Sequence, residues 1–162
     1  MPKNNLFVVM GVSGTGKTTI GKLLSKTLDV PFFDGDDFHP EANISKMASG
    51  KALNDNDRHD WLVALNYLLK SKEDSGAIVA CSALKKSYRT ILRNNLHRDL
   101  HFIFLDGSFE LIQSRLEQRK GHFMTSQLLQ SQFETLEVPQ HAIIASIADT
   151  PTKIIEDILS QI

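Results

Sequence analysis

Residues Gly11-Val12-Ser13-Gly14-Thr15-Gly16-Lys17-Thr18 satisfy the pattern G-x-x-x-x-G-K-[ST], whose residue types together suit the binding of a polyphosphate. Glycines at 11, 14 and 16 let the backbone turn tightly with its N–H groups inward, and a helix starting near Lys17 adds the positive end of its dipole. Such a turn cradles the β and γ phosphates of a nucleotide. Lys17 brings a mobile positive charge to them, the Thr18 hydroxyl is placed to ligate a magnesium ion that bridges them, and Thr19 completes the nucleotide-binding stretch.

A second chemically capable stretch is Phe32-Phe33-Asp34-Gly35-Asp36-Asp37-Phe38-His39-Pro40. Transfer of a phosphoryl group needs one carboxylate to hold hydrated magnesium and another to accept the proton of the attacking hydroxyl. Residues i and i+2 of an extended segment point the same way, so Asp34 and Asp36 are expected to converge while Asp37 points elsewhere. Asp106 and Asp149, at other strand ends, are rival magnesium ligands.

The elements that must position these groups are visible as two alternating periodicities. Leu6 to Met10, Pro31 to Phe33, Ala77 to Cys81, Phe102 to Leu105 and Ala142 to Ile147 read as buried strands. Between them, helix faces are predicted from Ile20, Leu23, Leu24, Thr27 and Leu28, from Trp61, Leu62, Leu65, Leu68 and Leu69, and from Leu84, Tyr88, Ile91 and Leu92. Phe109, Ile112 and Leu116 form a fourth face, and Ile154, Ile155, Ile158 and Leu159 form a fifth in a helix opened by Pro151. Alternation of this kind predicts right-handed crossovers, a parallel sheet of about five strands with helices on both faces, and ligands at the carboxyl ends of the strands. Met47 and Trp61 are expected in the core.

The whole chain has 162 residues, of which 41% are hydrophobic and 23% charged, with a formal net charge of -1. That composition excludes a collagen, a coiled coil or a disordered tail, and the length predicts one domain over residues 1–162. The balanced total gives no field for a long polyanion, so no nucleic-acid partner is expected. Charge is nevertheless segregated: residues 34–60 hold seven acids and three bases, residues 85–98 five bases and no acid, and residues 115–122 three bases and one acid. Cys81 is the single cysteine, so neither an internal disulfide nor a zinc site is expected and a reducing compartment fits. Leu6 to Met10 is too short for a signal sequence, and no run approaches the roughly 20 apolar residues of a membrane span. A cytoplasmic protein without membrane association is the expectation.

The phosphate loop is shared by switches, transporters and kinases. No guanine-reading [NT]-K-x-D and no L-S-G-G-Q occurs, which leaves a small phosphotransferase. The loop, together with Asp34-Gly35-Asp36-Asp37-Phe38-His39-Pro40, Asn43-Ile44-Ser45-Lys46-Met47, Leu53-Asn54-Asp55-Asn56-Asp57-Arg58 and Cys81-Ser82-Ala83-Leu84-Lys85, resembles the gluconokinase family. Arg119-Lys120-Gly121-His122-Phe123 and Gln132-Phe133-Glu134-Thr135-Leu136-Glu137 extend the resemblance to about residue 140; Phe38 stands where the family more often has leucine.

This resemblance implies an α/β three-layer P-loop kinase fold with sheet order 2-3-1-4-5, an acceptor-binding segment at about 36–60 and a mobile lid at about 119–125. It implies ATP and Mg2+ as cofactors, gluconate as the small-molecule substrate, and a homodimer. Carried over by motif, Asp34 supports magnesium, Asp36 binds the sugar hydroxyl as the base, and Arg58 takes the substrate carboxylate, which a guanidinium fork fits bidentately. Arg58 also reads as a first-turn helix residue paired with a local acid, and His39 either donates to a sugar hydroxyl or orders the turn before Pro40. Lys85, Arg89 and Arg93 repeat every four residues; Lys85 alone is expected near a ligand, the arginines forming a solvated or dimer-facing stripe. Arg115 is implied beside adenine and Arg119, or Lys120 in its place, at the transferring phosphoryl group. Gln132 is implied to read a gluconate hydroxyl. Another small acid or a nucleotide as acceptor, or an ATP-binding regulator without transfer activity, are the alternatives.

Overall fold

The computed structural model describes residues 5–118 and 126–162. Five strands, β1 (Leu6–Met10), β2 (Phe32–Asp34), β3 (Ala77–Ala80), β4 (Leu100–Asp106) and β5 (Ile143–Ser146), form one sheet in the order β2-β3-β1-β4-β5. Every pairing is parallel, with Val8 of β1 opposite Val79 on one side and Phe102 on the other. The helices are α1 (Lys17–Leu28), α2 (Glu41–Ala48), α3 (Asp55–Ser71), α4 (Lys86–Arg93), α5 (Phe109–Gln118), α6 (Ser126–Thr135) and α7 (Pro151–Leu159), and a 3₁₀ turn spans Gly35–Phe38.

The central strand β1 is apolar throughout because both of its faces are covered. Phe7 and Val9 pack with Ile20 and Leu24 of α1, Ile112 and Leu116 of α5, and Ile154 and Ile158 of α7. Leu6, Val8 and Met10 point the other way, onto Trp61, Leu62, Leu65 and Leu69 of α3 and Tyr88 and Leu92 of α4. Burying each large side chain contributes roughly 2 kcal/mol, and the two apolar layers fix the sheet between two helical layers. The carboxyl ends of β1 and β2 therefore emerge at the same edge of the sheet, one on each side of β3. No helix among the described residues is long and apolar enough to cross a membrane.

The expected strands are all present, β1 with the expected bounds and the other four shifted by one or two residues at their ends. The buried face of α1 is rotated from the predicted one. Leu23 is 38% exposed and Thr27 lies outside, whereas Gly21 faces in. A Cβ on Gly21 would stand 2.4 Å from the Phe32 ring, so glycine lets β2 close on α1. Met47, expected in the core, is 42% exposed, because the buried member of α2 is polar Asn43. Trp61 is buried as expected. Arg89 corrects another expectation: it is only 5% exposed and donates to Ala83 O at 2.7 Å and Glu137 O at 2.9 Å. Ala83 adopts a left-handed turn with φ 46, and its carbonyl accepts from the arginine, a tertiary partner that four-residue spacing does not reveal. Arg93 remains exposed, with its guanidinium 4.8 Å above the Phe102 ring.

Candidate active site

The loop between β1 and α1 ends at Gly16, which precedes the helix at φ 89 in the left-handed region, with no side chain capping the helix. Glycine takes that conformation without steric cost, so the first N–H groups of α1 are left facing the loop. Lys17 folds its Nζ back to donate to Gly11 O and Val12 O, both at 3.0 Å. Its burial pulls the ammonium below its usual range, with the charges of Asp36 and Asp34 opposing the shift. Thr18 Oγ1 donates to Asp34 Oδ2 at 3.2 Å, so Asp34 lies directly against the hydroxyl that ends the loop motif. Asp106 and Asp149 lie exposed at the end of β4 and ahead of α7.

Asp34 and Asp36 are neighbours, but not for the reason of extended alternation. Strand β2 stops at Asp34, whose carboxylate caps the 3₁₀ turn by accepting from Asp36 N at 3.0 Å. Gly35 is required between them by close approach: a Cβ there would lie 2.4 Å from Ala80 O. Desolvation on the side facing the protein and the charge of Asp34 push the Asp36 carboxyl above the usual carboxylate range, against the pull of Lys17 and His39, although its side chain is 85% exposed. Beneath the pair, burial pushes the Cys81 thiol up to about 12, so it remains protonated and unreactive at neutral pH.

The turn leads to His39, whose ring stacks on Trp61 with centroids 4.2 Å apart and planes at 16°. Trp61 Nε1 donates to Gly35 O at 2.7 Å, tying α3 to the acidic turn. Helix α3 begins with a capping box in which Asn54 and Asp57 exchange side-chain-to-backbone hydrogen bonds. Asp57 also accepts from Lys46 Nζ at 2.6 Å. This start places Asp55 and Arg58 beside Tyr88 and Lys85. Tyr88 OH donates to Asp55 Oδ1 at 2.5 Å and accepts from Arg58 Nη1 at 3.1 Å, while Lys85 Nζ lies 3.1 Å from Asp55. Hydrogen bonds from Tyr88 and then Lys85 hold the Asp55 carboxyl below its usual range. Arg58 and Lys85, with Leu53 and Thr135, line an open cavity of about 490 Å³.

Gln132 and Arg115 make contacts other than the implied ones. Gln132 Oε1 accepts from Ser13 N at 2.7 Å and its Nε2 donates to Ser13 Oγ at 3.1 Å, bracing the phosphate loop from α6. Arg115 Nη2 donates to Ile147 O at 2.5 Å, beside the segment that leads into α7. Arg119, Lys120 and the lid expected at 119–125 lie outside the described residues. Sequence reasoning missed Asp55, although it sits within a quoted motif, because only the arginine of that motif was weighed. Tyr88 was hidden as a member of an apolar helix face, and Asn43 as an ordinary polar residue of α2.

The profile of the shikimate kinase family matches residues 13–162. The thermosensitive gluconokinase of Escherichia coli (strain K12) is 52% identical over 137 residues, covering 83% of this chain and 72% of that protein. The gluconokinase of Gluconobacter oxydans (strain 621H) is 46% identical over 139 residues, covering 85% of this chain and 78% of its own length. A crystal structure of a gluconokinase from Sinorhizobium meliloti 1021 superposes with a TM-score of 0.91 at 40% identity, covering 99% of this chain and 92% of that one. With its parallel 2-3-1-4-5 sheet and its phosphate loop, this chain is a P-loop kinase and belongs to the gluconokinase family.

Proposed function

We propose that this kinase transfers the terminal phosphoryl group of ATP to the 6-hydroxyl of gluconate, giving 6-phosphogluconate and ADP. The observation that carries this reading is a pair of cations, Arg58 and Lys85, on the wall of a cavity that Asp55 also lines, with Asp57, Asn43, His39 and Asp36 running from α3 to the acidic turn, where Asp34 accepts from Thr18 of the phosphate loop. A short polar molecule with a carboxylate at one end and a hydroxyl at the other fits such a span. Arg58 holds the carboxylate with its guanidinium fork, oriented by the Tyr88 hydroxyl, and Lys85 adds a point charge.

The loop from Gly11, Val12, Ser13, Gly14 and Thr15 to Gly16, Lys17, Thr18 and Thr19 takes the phosphates on its N–H groups and the start of α1. Among the described residues no three His, Cys, Asp or Glu side chains converge on a metal site. The adjacent Thr18 and Asp34 oxygens instead fit a hard cation that keeps most of its ligands from water and phosphate. Thr18 and Asp34 would hold Mg2+ there, which would supply positive charge to neutralise that of the phosphate oxygens. Lys17, already desolvated, neutralises more of it without solvent reorganisation. Asp36 accepts the hydroxyl proton as the oxygen–phosphorus bond forms and the bond to the ADP oxygen breaks; its raised carboxyl makes it the better base of the acidic turn. Arg115, next to the approach to α7, flanks adenine, and Arg119 or Lys120 meets the transferring group. Gln132 braces the loop through Ser13 and reads a gluconate hydroxyl once the acceptor is bound.

The lone buried thiol and the demand for ATP suit the cytoplasm, and two copies are proposed to pair, which light scattering decides. Arg58→Ala should raise the Michaelis constant for gluconate about tenfold or more, the loss of a charge-assisted hydrogen bond, with that for ATP unchanged. An unaltered gluconate constant in steady-state kinetics removes Arg58 from the acceptor site.

A further inference from the structure

The position of a proton between Asp36 and the cavity wall can be deduced from its neighbours. Asn43 is 4% exposed, and one atom of its side-chain amide lies 2.8 Å from the backbone oxygen of Asp57. A carbonyl only accepts, so that atom is the NH2 and not the amide oxygen. The same nitrogen lies 3.3 Å from His39 Nδ1. With its second N–H directed there, Nδ1 is the acceptor, and the one proton of a neutral imidazole resides on Nε2.

Nε2 is 3.9 Å from Asp36 Oδ1, and the His39 side chain is 5% exposed. That separation is too long for a direct hydrogen bond, yet a hydroxyl oxygen can sit within about 2.7–2.9 Å of both atoms. Its polarity is then determined. Were Nε2 bare, His39 and Asp36 would both be acceptors competing for a single hydroxyl proton. With Nε2 protonated, the hydroxyl accepts from His39 and can give its proton only to Asp36.

We propose that Asn43 is a positioning residue that fixes the Nε2–H tautomer of His39, so that His39 donates to the acceptor hydroxyl while Asp36 alone receives its proton. The role toward the hydroxyl rests on the function proposed above; the tautomer does not. The groups facing His39 are the charged Asp36 and Arg58 and the neutral Asn43 and Trp61. Burial pulls the imidazole below its ordinary range, Arg58 adds to that and Asp36 opposes it, which keeps the ring neutral at physiological pH.

Two-bond 1H–15N correlation spectra of the labelled, ligand-free protein at neutral pH should show His39 protonated at Nε2 and bare at Nδ1. Asn43→Ala should introduce the Nδ1–H form and lower kcat with gluconate about tenfold, with little change in the Michaelis constant for ATP. Glutamine places an amide nitrogen near the position of Nε2, so His39→Gln should recover part of the kcat that His39→Ala loses. This comparison remains decisive if the Asn43 variant does not fold. A wild-type proton on Nδ1, an unchanged tautomer in Asn43→Ala, or a glutamine variant no better than alanine overturns the proposal. An Nε2–H spectrum in a protein without gluconate turnover upholds the tautomer and refutes the substrate.

Discussion

At the scale of single residues, the site depends on groups moved away from their solution behaviour. Asp36 must be ionised to accept a proton, and its carboxyl lies above the usual range because of partial desolvation and Asp34. The rate with gluconate should therefore rise with pH through an acidic limb displaced upward from an ordinary carboxylate. Asp36→Asn should remove that limb and lower kcat by about 10²–10⁴. The folded state binds this proton more tightly than the unfolded chain, so the contribution to stability is present at low pH and lost as pH rises through the folded value. The same asparagine variant should then melt slightly higher than wild type at neutral pH. A pH–rate profile and a thermal melt on the two proteins check both signs.

At the scale of elements, function depends on where β2 stops and α3 starts. Gly35 lets the acidic turn pass Ala80 O, and its own carbonyl receives Trp61 from α3. Gly35→Ala should cost about 1–3 kcal/mol of stability through overpacking against backbone. Activity should fall further than Tm indicates, since Asp34 and Asp36 flank the displaced residue; denaturant melts alongside kcat separate the two effects. The pairing of Asp34 with Asp36 was legible as adjacent acids at a strand end, but its geometry was not, because a 3₁₀ turn capped by Asp34 follows only from three-dimensional closure on β3. The inward face of α1 was misplaced for a similar reason. Gly21 contributes to packing through the side chain it lacks, and a periodicity of apolar residues cannot register that. The alternation of strands with α1, α3, α4, α5 and α7 was legible because each of those helices buries several apolar residues at regular spacing, whereas α2 and α6, which bury only Asn43 and Leu129, left no such pattern.

At the scale of the molecule, the near-zero net charge conceals a division of labour. Acids gather at the turn after β2 beside Lys17, while Arg58 and Lys85 line the cavity at the start of α3, an arrangement suited to a metal, a polyphosphate and a small acid. Arg89 shows that not every cation of this set serves a ligand, since it joins the start of α4 to the segment after α6. Arg89→Met leaves two carbonyls without their donor and should cost about 2 kcal/mol, lowering Tm by roughly 6 °C for a chain of this size, with the gluconate constant preserved. The most direct test of the acceptor is ADP release measured with ATP and Mg2+ across a panel of gluconate, other sugar acids, shikimate and nucleoside monophosphates, with the product identified by 31P NMR. Gluconate-dependent turnover far above that of the other acceptors, yielding 6-phosphogluconate, is the predicted result. ADP release with gluconate no greater than in its absence, or a faster reaction with another acceptor, would contradict it.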